Sequence, residues 1–416
     1  MTSAVAGPPQ ARSDERWADL DRLRRTSPMS DAVLDEVRGR HIRCGRHWLI
    51  DFASCNYLGF DFDPEIMAAI EPAVRRWGTH PSWSRLLGSP RLYPGIEDRL
   101  TALLGCEDTL LLPTTTLIHH SVIPVLAGRG QLFVEATAHR TVYEGCVGAR
   151  GQGATLHRFR ADRPEQLEAL LRDAPAGGPR LVCLDGVDSM SGSVPDMPVL
   201  AGICRERGAT LYVDDTHGFG VIGQRSPDDT CPYGTRGNGV IRHTGAGYDD
   251  VVLVGGFSKA YSSLLAFLAV PTRLKDRLKV TAGPYLYSGP SPTASLATVL
   301  AGLAVNDRRG DAIRADLHRR TVRVLDHVRG LGLDVPGARG FPIVEVPLAH
   351  GADLDDVVRF LWDQGIYVTV AAYPLVPRDR VGFRIQLTAL NSDEDIDRLN
   401  GTLSRLAERR ALRLRR

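Results

Sequence analysis

The chain has 416 residues, of which 43% are hydrophobic and 24% are charged, and its formal net charge is +2. This composition is that of a globular protein with a sizeable core, and it excludes disordered, collagen-like and disulfide-scaffold proteins. The small net charge gives no reason to expect nucleic acid as a partner, and no apolar run approaches the roughly 20 residues of a membrane span.

The N-terminus has no apolar stretch of the signal-peptide type, and the seven cysteines are scattered without a CxxC pair. We therefore expect reduced thiols in a cytoplasmic protein, with no disulfide framework and no metal site. Residues 1–60 are polar and rich in arginine, with helical spacing in DAVLDEVRGR, and are expected to form an N-terminal arm.

Short apolar runs alternate with amphipathic helices from Pro64 to about Val270. The runs are TLLLP (109–113), QLFVEA (131–136), RLVCLDG (180–186), ATLYVDD (209–215), DVVLVGG (250–256) and LAFLAV (265–270). This alternation predicts an α/β domain with a mostly parallel sheet, placed at residues 61–300. Polar residues or glycines follow strand after strand, at the sheet edge where such folds bind ligands.

A second unit follows and is expected to be a smaller α+β domain at residues 301–416. Its predicted elements are a helix (311–330), a strand in FPIVEVPL (341–348), a helix (353–364), strands in 366–377 and 383–390, and a closing helix.

Lysine occurs only at positions 259, 275 and 279, while the other basic residues are arginines. Arginine stays protonated and forms no imine, whereas a lysine amine can lose its proton and can form an imine. Lys275 and Lys279 lie in a polar amphipathic segment and are interpreted as surface residues. Lys259 lies between two apolar runs, where it is either a Schiff-base lysine for pyridoxal phosphate or a helix-terminal lysine reaching solvent.

Asp214 ends a predicted buried strand, and His217 follows three residues later. Asp214 suits the protonated ring nitrogen of pyridoxal phosphate and His217 its phenolic oxygen; alternatively, the Asp-Asp pair is a helix N-cap.

His139 follows another strand and suits stacking on a flat ring, or is a surface histidine. Ser189 offers a hydroxyl to the same cofactor, or is a turn serine. Thr115, Thr116 and Ser258 supply hydroxyls to a phosphate beside a helix start, or cap helices.

Arg384 lies inside an apolar strand in GFRIQLTAL. Its guanidinium is either an anchor for a substrate carboxylate or a partner in an internal salt bridge. The sequence contains no HExxH, no GxSxG and no GxGxxG at the start of a helix. The absence of these motifs argues against a zinc protease, a serine hydrolase and a nicotinamide-dependent enzyme.

Taken in order, seven segments resemble the α-oxoamine synthases, which are pyridoxal phosphate enzymes of fold type I. The segments are FASCNYLGF (52–60), SRLLGSPRLYPGIEDRL (84–100), EATAHRTVYEG (135–145), LDGVDSMSGSVPDMPVL (184–200), LYVDDTHGFGVIG (211–223), GGFSKA (255–260) and YPLVPRDRVGFRIQLTALNSDEDID (373–397). The NYLGF element most resembles the serine palmitoyltransferase branch.

The resemblance implies a mostly parallel seven-stranded sheet in the large domain and a homodimer with active sites at the subunit interface. It assigns catalytic, cofactor and substrate roles to residues of these segments. They are Lys259 as Schiff-base lysine, Asp214 at the ring nitrogen, His217 and Ser189 at the phenolic oxygen, His139 over the ring, Arg384 at the substrate carboxylate and Asn56 beside the substrate.

Several positions depart from the family's pattern. Thr115 and Thr116 replace a Gly-aromatic pair, His119 replaces an asparagine, and Gly256 replaces a phosphate-binding threonine. The glycines usual after the lysine are missing from AYSSLLAFLAV, and Asn391 replaces a second histidine. These departures favour a specialised synthase of secondary metabolism.

The reaction implied by the resemblance is a decarboxylative Claisen condensation of an amino acid with an acyl thioester, delivered by CoA or an acyl carrier protein, to an α-aminoketone. An aminotransferase or aldolase of the same fold is the alternative. A non-catalytic subunit is disfavoured because Lys259 is retained.

Overall fold

The computed structural model describes residues 12–337, 339–409 and 411–415, and the chain divides into two compact units. The larger unit is Cys55–His318, and the smaller one joins the described residues up to Ser54 with those from Arg319 onward. The sequence led us to expect boundaries near residues 60 and 300 and a separate N-terminal arm. The N-terminal residues instead belong to the smaller unit, because their strands pair within its sheet.

The strands are, in chain order, β1 (Glu36–Arg38), β2 (His41–Cys44), β3 (His47–Phe52), β4 (Asp108–Leu112), β5 (Gln131–Glu135), β6 (Thr155–Phe159), β7 (Arg180–Asp185), β8 (Thr210–Asp214), β9 (Val251–Gly256), β10 (Ala266–Val270), β11 (Ile343–Pro347), β12 (Ile366–Ala371) and β13 (Gly382–Gln386).

The α-helices are, in chain order, α1 (Arg12–Thr26), α2 (Pro64–Ala68), α3 (Ile70–Trp77), α4 (Leu92–Leu104), α5 (Thr115–Ala127), α6 (Arg140–Gly151), α7 (Pro164–Asp173), α8 (Met197–Glu206), α9 (Gly239–His243), α10 (Thr272–Thr281), α11 (Gly283–Leu286), α12 (Thr293–Gly330), α13 (Leu354–Asp363) and α14 (Asp393–Glu408). Among the helices of the described residues, none has both the length and the hydropathy to cross a bilayer.

The larger unit contains, within the described residues, a seven-stranded sheet in the order β4-β10-β9-β8-β7-β5-β6. Only β10 runs against the others, since it pairs antiparallel with both β4 and β9. The central strands are built mostly from apolar residues, and all their residues are buried except Thr210, which is partly buried, as expected for a parallel sheet covered by helices on both faces. The predicted α/β class with a mostly parallel sheet is confirmed.

An edge strand, β6, was not predicted from the sequence. Its residues TLHRF are largely polar and mostly accessible, so the segment lacks the apolar run that marks the buried strands. It pairs in parallel with β5 over the whole of its length.

The smaller unit contains a six-stranded sheet, within the described residues, in the order β1-β2-β3-β12-β13-β11. Strands β3 and β12 pair in parallel, with Ile50 opposite Ile366. This pair connects the N-terminal strands of the sheet with its C-terminal strands. The expected helical segment DAVLDEVRGR instead contains β1, because Gly39 at φ 59° forms the turn into β2.

Candidate active site

Polar side chains collect at one edge of the larger sheet. Strands β4, β5, β7, β8 and β9 run in the same direction, so their carboxyl ends lie at this edge. In the register, Asp185 at the end of β7 pairs with Asp214 at the end of β8, which is itself opposite Val254 of β9. The sheet therefore brings the ends of the predicted site segments into adjacent positions.

Asp214 is a buried carboxylate with partners on both oxygens. Its Oδ1 accepts from the backbone N–H of Thr216 at 3.0 Å and from the Thr216 hydroxyl, and its Oδ2 lies 2.9 Å from Nε2 of His119. Burial acts to raise the pKa of Asp214, but the interactions with His119 and with the Thr216 hydroxyl outweigh it and hold that pKa below its usual value. Asp214 is therefore an anion at neutral pH.

His119 is a site residue to which sequence reasoning assigned no role. It lies on α5 with its ring fully buried, and its Nδ1 is 2.8 Å from the hydroxyl of Tyr212. The available signal was a histidine flanked by apolar residues in TLIHHSVI, a position where a ring with two polar atoms needs buried partners.

His217 follows β8 and is also buried. Its Nδ1 lies 2.8 Å from the hydroxyl of Tyr57, which is itself fully buried. Asn56, the predicted substrate residue, is partly buried beside Tyr57, and its side-chain amide donates to Asp61 at 3.0 Å. The structure thus brings the NYLGF segment to His217 through Tyr57.

His139 caps the start of α6 with an exposed side chain. Its backbone N–H donates to both carboxylate oxygens of Asp185 at 3.1 Å, and its Nδ1 lies 2.8 Å from the Thr141 hydroxyl. Burial and the neighbouring charge of Asp214 raise the pKa of Asp185 well above its usual value. Two adjacent carboxyl groups therefore have opposite pKa shifts, a pattern typical of functional sites.

Ser189 is partly buried in the loop after β7. The loop is fixed by Asp188, whose Oδ1 accepts from the backbone N–H groups of Met190 and Ser191 and from the Ser191 hydroxyl. A left-handed Gly192, at φ 68°, completes this turn.

Lys259 is partly buried in a tight turn between β9 and β10. Its carbonyl accepts from the backbone N–H of Ser262 at 2.9 Å, and Ser262 has a left-handed φ of 53°. No side chain among the described residues forms a hydrogen bond or ion pair with the Lys259 amine. Tyr261 anchors the turn by packing against Phe219 and Phe257, with ring centroids 5.3 and 5.2 Å apart.

Gly256, three residues before Lys259, faces two threonines. A Cβ on Gly256 would lie 2.8 Å from the methyl carbon of Thr216 and 3.2 Å from that of Thr115. Thr115 is the first residue of α5, whose start is capped by the Thr114 side chain accepting from the Leu117 N–H at 3.2 Å. The room that a side chain would take at position 256 is therefore occupied by threonine side chains from two other segments.

Thr116 and Ser258, the remaining predicted cofactor residues of the larger unit, are exposed. The thirteen-residue helix α5 presents its N-terminus beside Thr115 and Thr116, and a helix N-terminus favours anions.

Arg384 belongs to the smaller unit. It is partly buried in the middle of β13, with Glu345 of β11 opposite on one side and Thr369 of β12 on the other. The carboxylate of Glu345 is held by Arg380, whose Nε donates to Oε1 at 2.9 Å.

Lys275 was interpreted from the sequence as a surface residue, and this was wrong. Its amine lies 3.1 Å from Oε2 of Glu97 and 2.8 Å from Oδ1 of Asp108, with the side chain only 12% exposed. Lys275 is thus fixed by two acidic partners, and Lys279 has one, Asp276, at 3.7 Å. Over the described part of the chain, no group of three or more His, Cys, Asp or Glu side chains could hold a metal ion.

The comparisons with known proteins agree with this architecture. The model of the family "Aminotransferase class I and II" matches residues 49–403. The chain is 32% identical over 388 residues to 8-amino-7-oxononanoate synthase of Chromohalobacter salexigens, covering 90% of this chain and 96% of that protein. It is also 32% identical over 406 residues to the enzyme of the same name from Halorhodospira halophila, covering 96% of both chains.

Among solved structures, serine palmitoyltransferase of Sphingomonas wittichii is similar with a TM-score of 0.87 and 25% identity, covering 97% of this chain and 99% of that one.

Proposed function

Because the chain belongs to the class I and II aminotransferase family, and within it to the pyridoxal phosphate-dependent α-oxoamine synthases, we propose that it condenses an amino acid with an acyl thioester. The amino acid loses its carboxylate as carbon dioxide, the thiol leaves, and the product is an α-aminoketone. The donor is an acyl-CoA or an acyl carrier protein.

The residues of the larger unit fit pyridoxal phosphate by the chemistry of their donor groups. Lys259 offers an amine that no acidic side chain of the described residues holds, and Asp214 offers a buried anion for the ring nitrogen. His139 would lie over the ring, and His217 and Ser189 would meet the phenolic oxygen. Thr115, Thr116 and Ser258 would bind the phosphate together with the N-terminus of α5.

The chain's own groups divide the work of the reaction. Pyridoxal phosphate supplies, when bound, an electron sink for the charge left on the α-carbon of the amino acid. Arg384 would bind the carboxylate of the amino acid in a bidentate manner. Asn56 is the other residue proposed to contact the substrate. The amine of Lys259 removes the α-proton and returns a proton at the end. Asp214 keeps the proton on the ring nitrogen, and His139 donates to the acyl carbonyl.

The observation that carries the proposal is the position of two residues at neighbouring strand ends. Asp214, a buried anion, ends β8, and Lys259, whose amine has no acidic partner among the described residues, follows the adjacent strand β9. The test is to load the purified protein with pyridoxal phosphate and record its absorbance while each amino acid is added. Acyl-CoAs of short and long chain follow, with release of free thiol measured.

A spectral change with one amino acid followed by thiol release supports the synthase. Lys259→Ala should lower turnover by about a thousandfold or more, whereas Lys279→Ala, at a lysine that lies 3.7 Å from Asp276 of its own helix, should leave it unchanged. Formation of a keto acid without thiol release, with any CoA or carrier-protein donor, would favour the aminotransferase alternative and overturn the proposal.

We also propose that the chain acts as a homodimer. The support is an exposed apolar segment in the larger unit, in which Trp83 is 57%, Leu86 58% and Leu87 78% accessible. The segment is fixed from within by Arg85, which is buried, ion-paired to Glu97 at 3.1 Å and donates to the Leu111 carbonyl. An ordered apolar surface of this kind is typical of subunit interfaces. Sedimentation of wild type and of Leu87→Asp tests this, and a wild-type monomer would contradict it.

We propose that the protein is located in the cytoplasm. All seven cysteines are unpaired, four of them buried, as is usual for proteins of reducing compartments.

A further inference from the structure

We propose that His119 is a positioning residue of this enzyme, held by Tyr212 so that it fixes the buried carboxylate of Asp214 against the ring nitrogen of the cofactor. Tyr212, His119 and Asp214 are called the buried triad below. The inference rests on the proposed function, since it concerns how one cofactor residue is held in place.

Within the buried triad, each of the two ring nitrogens of His119 has a hydrogen-bond partner. Nδ1 of His119 lies 2.8 Å from the Tyr212 hydroxyl, and Nε2 lies 2.9 Å from Oδ2 of Asp214. An ionised carboxylate only accepts hydrogen bonds, so Nε2 carries a proton and donates. In the neutral ring Nδ1 is then the acceptor and the tyrosine hydroxyl donates to it, which fixes the tautomer.

The elements around the triad place these three side chains together. Tyr212 and Asp214 are two residues apart on β8, so their side chains point to the same face of the sheet. Helix α5 brings His119 to them and is packed closely on α6, where a Cβ on Gly145 would lie 2.5 Å from the His119 carbonyl oxygen. The ring of His119 has little freedom to move away from Asp214.

The surroundings of Tyr212 and His119 are apolar. Tyr212 and His119 are fully buried, and the core around Tyr212 includes Ile118, Val122, Cys183 and Val254. Hydrogen bonds to a charged group are strong in such surroundings, and an unpaired polar atom is costly there. A residue needed only to fill this space would be apolar, whereas His119 meets a polar partner with each nitrogen.

Other titratable groups also act on Asp214 and are left unchanged by the test. They are Asp185 at the end of β7, His139 at the start of α6, and Asp215 next along the chain. Thr216 binds the opposite oxygen of Asp214, so the carboxylate keeps one set of partners when His119 is replaced.

The test compares His119→Leu with His119→Gln, both loaded with pyridoxal phosphate. Glutamine carries an amide N–H at the ε position and can still donate to Asp214, whereas leucine cannot. The two readouts are the dissociation constant of the cofactor and the pH midpoint of its absorbance change. Tyr212→Phe, which removes one buried oxygen and keeps the ring, is the third variant.

We expect His119→Leu to bind the cofactor about tenfold more weakly, since it loses one hydrogen bond to a charged group. Its pH midpoint should rise by about one unit. Without the hydrogen bond from His119, Asp214 takes up the proton of the ring nitrogen and the ring becomes uncharged. An uncharged ring withdraws less charge from the nitrogen of Lys259 bonded to it, so that nitrogen keeps its own proton to a higher pH. Tyr212→Phe should shift the midpoint in the same direction by less, and His119→Gln should stay close to wild type.

Midpoints equal to that of wild type in His119→Leu and Tyr212→Phe would overturn the inference, even if cofactor affinity or thermal stability falls, because a packing role alone predicts that pattern. Should His119→Leu not fold, an unchanged midpoint in Tyr212→Phe has the same meaning. If wild type binds no pyridoxal phosphate, the proposed function fails instead, so the two failures are distinguishable.

Discussion

The hydroxyl of Tyr57 lies 2.8 Å from Nδ1 of His217, and both side chains are buried. The two residues are 160 positions apart in the chain, so this contact ties the segment that opens the larger unit to the loop that follows β8. The tyrosine thereby fixes the orientation of the imidazole proposed to meet the phenolic oxygen of the cofactor. His217 is thus held from its far side in the same way as Asp214 is held by His119.

Replacing Tyr57 by phenylalanine should slow turnover about tenfold and lower the free energy of unfolding by about 1 kcal/mol, because a buried ring nitrogen loses its partner. Steady-state kinetics and thermal unfolding measure the two effects. Tyr93→Phe is the matched control, since its buried hydroxyl accepts from the Ser291 N–H at 2.8 Å. It should lower stability alone, and equal turnover in the two variants would contradict the role given to Tyr57.

Introducing threonine at Gly256 should destabilise the protein by about 1–3 kcal/mol, because the new Cβ meets Thr216 at 2.8 Å and Thr115 at 3.2 Å. Adding Thr216→Ser should recover part of this loss, since it removes the nearer methyl group and keeps the hydroxyl that donates to Asp214. Thermal unfolding of both single variants and the double variant gives the coupling between the two positions. Additive losses would show that these side chains do not compete for space.

Replacing Ser262 by glycine should raise stability by about 1 kcal/mol or less, since Ser262 has a left-handed φ of 53° that costs an ordinary residue energy. The neighbouring Ser263 has no positive φ, and its hydroxyl bonds to Thr298 at 2.6 Å. Ser263→Gly should therefore lower stability. Calorimetry of the two variants decides the matter, and a loss in both would refute the strain at position 262.

Asp215→Asn should change how stability depends on pH. Burial raises the pKa of Asp215 well above its usual value, so the folded protein keeps a proton there that the unfolded chain releases above about pH 4. This group therefore makes wild type lose stability as pH rises, by at most about 1.4 kcal/mol per pH unit, until the folded group also ionises. Asparagine, which can still accept from the Val240 N–H, removes that slope.

Denaturant unfolding of wild type and Asp215→Asn between pH 4 and pH 8 measures this difference. As the pH rises, the free energy of unfolding of the variant should increase relative to that of wild type. Parallel curves for the two proteins would mean that Asp215 is already ionised when the protein is folded.

The α/β class and the strand ends of the larger unit were predictable because apolar runs, each followed by polar residues, are local patterns. The partners of those residues were not. Tyr212 and His119 are 93 positions apart, and only the packing of α5 on the larger sheet brings them together. The strands β1–β3 were missed because they complete a sheet whose other strands lie more than 290 residues further on, beyond any local pattern. Lys275 was misjudged because its acidic partners, Glu97 and Asp108, come from distant segments.

The parallel pairing of β3 with β12 makes the larger unit an insertion within the smaller one, since the chain leaves the smaller unit after Ser54 and returns to it at Arg319. During synthesis the complete sequence of the larger unit is therefore available well before β12 emerges from the ribosome. Strands β1–β3 cannot complete their sheet until β11–β13 have been synthesised, whereas all strands of the larger sheet are available earlier and can fold before that point. Order of synthesis thus favours completing the cofactor residues of the larger unit first, with Arg384 joining the folded protein among the last.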